Sequence, residues 1–176
     1  MKRKRVLVVF ILLPLVLIFG GTCVFIWNQT KLAPPKEALL IKNFNEHRAA
    51  FEQLRDMLLA ETNLSRVAEW GVDTRKPFFL GYPSEQNFPL NRFNKYLALL
   101  KEADGKVASR REGDPANPSI LVWAWGWAGN TRHTGICWLN QEPTNQIPAL
   151  DGYRSQSGYS IAFRRIDSNW FLWTDL

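Results

Sequence analysis

The sequence predicts an α+β domain held at a membrane: an N-terminal transmembrane helix, then two main helices packed on an antiparallel meander of about five strands. Three features of the 176-residue chain lead to this class. An uncharged apolar run fills Val6 to Trp27, helical spacing of apolar residues governs Lys36 to Gly105, and a period of two with regularly placed turn residues governs the remainder.

Residues 1–5, "MKRKR", form a basic tail ahead of the run "VLVVFILLPLVLIFGGTCVFIW". As a helix that run would be about 33 Å long, enough to cross a bilayer core of about 30 Å. A cleaved signal peptide has a shorter apolar core of about 7 to 15 residues and a polar region with small residues at the cut. Here the apolar sequence continues through "VFIW" past Cys23, and "FGGTC" matches a bacterial lipobox only loosely, with Gly20 in place of Leu and Thr22 in place of Gly or Ala. Residues 6–27 therefore read as a permanent signal anchor, with Pro14 tolerated inside it. Lys2, Arg3, Lys4 and Arg5 favour a cytoplasmic N-terminus, which puts residues 28–176 on the extracytoplasmic side. The formal charge of +6 is concentrated at that tail: four of the 22 basic residues lie in it, leaving 18 against 16 acids. So even a balance offers no footprint for nucleic acid.

Residues 28–35 read as a short linker, because Pro34 and Pro35 end any continued helix and favour an extended segment. The extracytoplasmic domain is then 36–176. From Lys36 to Glu61, Leu40, Phe44, Phe51, Leu54 and Leu58 recur at intervals of four and three with His47 in the gap, one stripe of a single amphipathic helix. "NLSRVAEWG" reads as one more helical turn, and "KPFFLGYPSEQNFP" as irregular or briefly extended. Leu90, Phe93, Leu97 and Leu100 mark the second main helix, closed by Gly105 as its left-handed residue. Strands follow at about Lys106–Glu112, Ser119–Ala128, Thr134–Asn140, Tyr159–Ile166 and Trp170–Thr174, joined by "GDPANP", "GNTRH", a long loop and "DSN".

The strand Ser119–Ala128 contains "ILVWAWGW". Alternation puts Leu121, Trp123, Trp125 and Trp127 on one face and Ile120, Val122, Ala124 and Gly126 on the other, so the strand is central with both faces covered. Ala124 and Gly126 would let a helix approach closely. An even connection to the next strand would set Ile136 and Trp138 beside the indoles, giving a surface of four tryptophans. Such a row is either core or a binding face, and the middle of the strand, Trp123 and Trp125, is expected in the core, with Trp127 partly exposed. Trp123, Trp125, Trp127, Trp138 and the nearby Arg132 are the candidate binding residues.

Signals for chemistry are weak. The chain has no phosphate loop, GxGxxG, HExxH or GxSxG, and no paired Cys/His set, so no cofactor or metal is implied and catalysis is not favoured. His133 and Cys137 suggest a thiol dyad, but four residues along a strand separate them by about 13 Å. Glu52 and Asp56 read as a solvated helix face, and His47 as a histidine at the edge of the core. In Arg110–Arg111 and Arg164–Arg165, alternation directs one member of each pair across apolar surface or toward an anion. Asn28-Gln29-Thr30 and Asn63-Leu64-Ser65 match a glycosylation pattern relevant only to a eukaryotic secretory pathway. In architecture the chain resembles small bacterial envelope proteins, which carries no function with it. The expectation is a single-pass inner-membrane protein with a periplasmic interaction module, an envelope accessory or an immunity or inhibitor protein, that binds another envelope protein. The alternatives are a glycan-binding domain using the tryptophan face and a hydrolase of unrecognised type.

Overall fold

The computed structural model describes residues 33–74, 80–110, 117–127, 130–153 and 161–175, and Pro35–Leu176 forms one compact unit. The expected anchor, residues 6–27, lies outside the described residues; among those described, no helix is long and apolar enough to cross a membrane. The class is α+β. Among the described residues three helices, α1 (Glu37–Glu46), α2 (Arg48–Ala60) and α3 (Leu90–Glu102), accompany one antiparallel sheet. Its strands are β1 (Leu64–Ala68), β2 (Gly71–Thr74), the two-residue β3 (Leu80–Gly81), β4 (Val107–Arg110), β5 (Pro118–Trp127), β6 (Asn130–Trp138), β7 (Ala162–Asp167) and β8 (Trp170–Thr174).

The single long helix expected over Lys36–Glu61 is broken at His47, whose φ of −117° and ψ of 25° leave the helical region. No Gly or Pro marks the break. His47 closes α1 by donating its N–H to the Asn43 carbonyl and opens α2 by accepting from Ala50 and Phe51. On either side of it, Phe44 and Phe51 converge on Trp170 of β8, with ring centroids 5.4 Å apart and 5.2 and 6.2 Å from the indole. The long loop holds the other end of α1: the Asp151 carboxylate accepts from the Glu37 N–H at 2.9 Å, and Glu37 accepts from Leu150 N–H and Arg164. These acceptors and acids suit the unpaired amides and positive end of a helix N-terminus.

"NLSRVAEWG" is a strand and turn, not a helical turn. Ala68 pairs with Gly71 across the turn Glu69–Trp70, and Gly71 takes a φ of 150° that favours glycine. The misreading has a physical cause. A register shift between Leu64 and Arg66 puts Leu64 and Val67, three residues apart, both into the core, and a bulged strand thus imitates helical spacing. At the end of α3 the left-handed residue is Asp104, with φ 50°, not Gly105. Gly105 serves a steric need instead, since a Cβ there would meet Ile120 Cγ2 at 2.7 Å.

The sheet order is β3-β2-β1-β4-β5-β6-β8-β7, more strands than expected and not a simple meander. α3 lies between β3 at one edge and β4 near the centre, while β8 enters between β6 and β7. The second departure follows from the long loop after β6, which meets β7 through a parallel bridge between Gln146 and Phe163. Leu40, Phe44, Phe51, Leu54 and Leu58 of α1 and α2, with Phe93, Tyr96 and Leu100 of α3, pack with Ile120, Ile136 and Leu172 of the sheet as the main core. Cys137, Leu139, Phe163 and Phe171 form a second cluster. Arg110, expected to cross apolar surface or meet an anion, is buried with its guanidinium donating to the Leu58 and Leu59 carbonyls at 2.7 and 2.9 Å. A cation there suits the negative end of α2.

Candidate functional site

β5 and β6 are the longest strands, paired from Ser119–Cys137 to Trp127–Asn130. The expected loop "GNTRH" is mostly strand, because β6 begins at Asn130, opposite Trp127, and not at Thr134. The even connection is present, and it sets Ile136 and Trp138 on the indole side as expected.

A register shift between Leu121 and Trp123 changes the faces. Ile120 lies opposite Ile136 and Trp123 opposite Thr134, and since Ile136 and Thr134 share a face of β6, Ile120 and Trp123 share it too. Val122 packs in the same core as Ile120. The bulge therefore carries both Val122 and Trp123 to the helix side, while Leu121, opposite Gly135, moves to the other side and leaves the indoles. Ala124 is exposed opposite His133 and receives no helix.

The four tryptophans do not form one contiguous surface. Trp123 is 9% exposed, and Trp138 is half-buried against the main core, where it pairs with Trp170. Four residues of β6, about 13 Å, separate Trp138 from Thr134, which faces Trp123. Trp125 is 39% exposed, contrary to its expected place in the core, because helix cover fails toward this end of the hairpin. Arg132, itself exposed, lies opposite it with its guanidinium carbon 5.8 Å from the ring centroid, a cation–π contact. The Trp127 side chain lies outside the described residues.

On the opposite face at the same end, Asp175 grips His133. Its Oδ2 lies 2.7 Å from Nδ1, its Oδ1 accepts from the His133 N–H, and its own N–H donates to the His133 carbonyl at 3.2 Å. A carboxylate at Nδ1 orients an imidazole as in a base of nucleophilic catalysis. Cys137, however, lies about 13 Å along the same continuous strand, and it is 2% exposed. The thiol dyad does not form, and the pair's visible effect is to tie the end of β8 to β6. Sequence reading missed Asp175, since no local pattern links it to a residue 42 positions earlier.

The remaining sequence candidates have ordinary surroundings. Glu52 and Asp56 pair with Arg48 and Arg55 on α2, and His47 is half-buried at the helix break. Arg165 pairs with Glu142 and covers the Phe171 ring; Arg111 lies outside the described residues. Sequence reading also passed over Trp70, which is 56% exposed at the β1–β2 turn and lines a cavity of about 480 Å³ with Leu97, Leu100, Lys101 and Lys106. The signal available was a tryptophan immediately before a turn glycine. In the core, burial pushes the Tyr96 phenol well above its ordinary range, the Glu61 charge adds to this, and Arg92 and Arg110 oppose it. No protein-family model, no curated protein and no solved structure matches this chain.

Proposed function

We propose that this chain is a single-pass inner-membrane protein, anchored through Val6–Trp27 with a cytoplasmic N-terminus, whose periplasmic domain is an interaction module for another envelope protein. Its contact surface is the outer end of the β5–β6 hairpin, centred on Trp125 and Arg132. One observation carries this reading: Trp125 is exposed on the two-stranded end of the hairpin, opposite Arg132, whose exposed guanidinium lies across its ring. Tryptophan and arginine are the side chains most enriched among residues that dominate protein interfaces, and a two-stranded ribbon presents them at little conformational cost. Glycan stacking is less well supported at this place, since the arginine already occupies a face of the indole that a sugar ring would need.

The test is a photoreactive benzophenone side chain at position 125 of the full chain, expressed in its native membrane. We expect a discrete adduct with one envelope protein, weakened by Arg132→Glu and absent when the probe stands at Asp56 on the exposed side of α2. No adduct from position 125, or the same adduct from position 56, would refute the assignment.

A further inference from the structure

Among the described residues the sheet guards each of its edges but one. β3 is only two residues long, and the outer side of β7 is occupied by the long loop, where Asn145 and Ile147 exchange backbone hydrogen bonds with Phe163. Past the end of β8, Asp175 engages both the N–H and the carbonyl of His133, so that only the short, charged stretch Asn130–Arg132 of β6 lies beyond it. β5 differs. Its ladder to β4 stops at Leu121, and from Trp123 to Trp127, about 17 Å, it pairs with β6 alone. That stretch, "WAWGW", has no charge and no proline, the usual devices that keep strand edges apart.

The direction of its backbone groups follows from His133. Both main-chain groups of His133 turn away from β5 toward Asp175, so its pairing with Ala124 is of the kind without mutual hydrogen bonds. The Ala124 N–H and carbonyl therefore turn away from β6 as well, and those of Gly126, two residues on, repeat that direction. Ala124 is exposed. What fits such an edge is another extended strand, since a main chain offers donors and acceptors at the same alternating spacing.

The sequence "WAWGW" reads almost alike in both directions. Laid antiparallel on a second copy with residue 125 opposite its counterpart, Ala124 stands opposite Gly126, where the two exchange main-chain bonds. Trp125 then meets Trp125 at the closer, unbonded position, with about 4.5 Å between Cα atoms, where aromatic cross-strand pairs are favourable.

We infer that the free edge of β5 pairs with the same edge of a second copy of this chain, in an antiparallel twofold dimer centred on Trp125. The pairing goes beyond the proposed partner contact and joins two Trp125–Arg132 surfaces on one sheet face. The test is sedimentation velocity of the full chain in detergent over a concentration series. The parent should form a dimer. Trp125→Glu sets two carboxylates across the twofold axis and should raise the dissociation constant about tenfold or more, as should Trp125→Lys, while the two variants expressed together under different tags should copurify as a mixed dimer. Cys137 is buried, so in a Cys23→Ala chain Trp125→Cys should form an intermolecular disulfide on mild oxidation, the Cα spacing there lying within the disulfide range, and Asp56→Cys should not. A monomeric parent, a dimer indifferent to Trp125→Glu, opposite charges that fail to restore pairing, or equal cross-linking from position 56 would overturn the inference. A monomeric chain that still gives an adduct with another protein from position 125 would refute the dimer and leave the proposed contact standing.

Discussion

At Gly135 the β6 backbone passes so close to the Ile120 carbonyl and the Trp173 indole that an added Cβ would overlap both, 2.7 Å from Nε1 of the indole. The carbonyl belongs to the neighbouring strand and cannot move without breaking the ladder. Gly135→Ala should therefore cost about 3 kcal/mol, read as a fall in denaturant midpoint; a midpoint like the parent's would show that the strands have room to part. Nothing in "HTGIC" announces this constraint, because a partner strand and an indole 38 residues onward create it. Alternation made the tryptophans visible from sequence, yet their separate surroundings were not. Burial of Trp123 and exposure of Trp125 depend on where the helices end and on a bulge that no residue type marks.

At the scale of elements, periodicity located the apolar stripes of α1, α2 and α3 and the strand "WFLWT", whose bounds Trp170–Thr174 were read correctly. It failed where geometry imitates another period, as at Leu64 and Val67, and where a helix breaks without a breaker, as at His47. The break is clamped from outside. Arg48, the first residue of α2, meets Asp167 at the β7–β8 turn at 2.6 Å. The Ser168 N–H and then the Arg48 guanidinium hold the Asp167 carboxyl below its ordinary 3.8. A carboxylate lowered on folding stabilises the folded chain at pH above its ordinary value, and that contribution is lost as pH falls through the lowered one. Asp167→Asn should thus lower the denaturant midpoint at neutral pH, and the gap from the parent should close on acidification below the usual carboxylate range. A gap independent of pH would mean that the carboxylate charge contributes nothing to the clamp.

At the scale of the whole molecule, α+β character followed from the change of period near Gly105, whereas the strand order did not. No sequence pattern states that β8 will enter between β6 and β7, because pairing partners are chosen by the long loop's path and by burial of Phe171 and Leu172 on opposite faces. That insertion makes the C-terminal strand an interior one and leaves the outer end of β5–β6 as the part of the ribbon where Trp125 is not covered. In the proposed function Trp125 serves a partner and not the fold. The deciding measurement is the denaturant midpoint of Trp125→Ala beside that of Trp123→Ala, in a chain beginning at Pro35, the boundary of the compact unit. Trp123→Ala should lose about 3 to 5 kcal/mol and Trp125→Ala about 1 kcal/mol or less. A loss at Trp125 as large as that at Trp123 would contradict the account, because the indole would then be core and the hairpin end no contact surface.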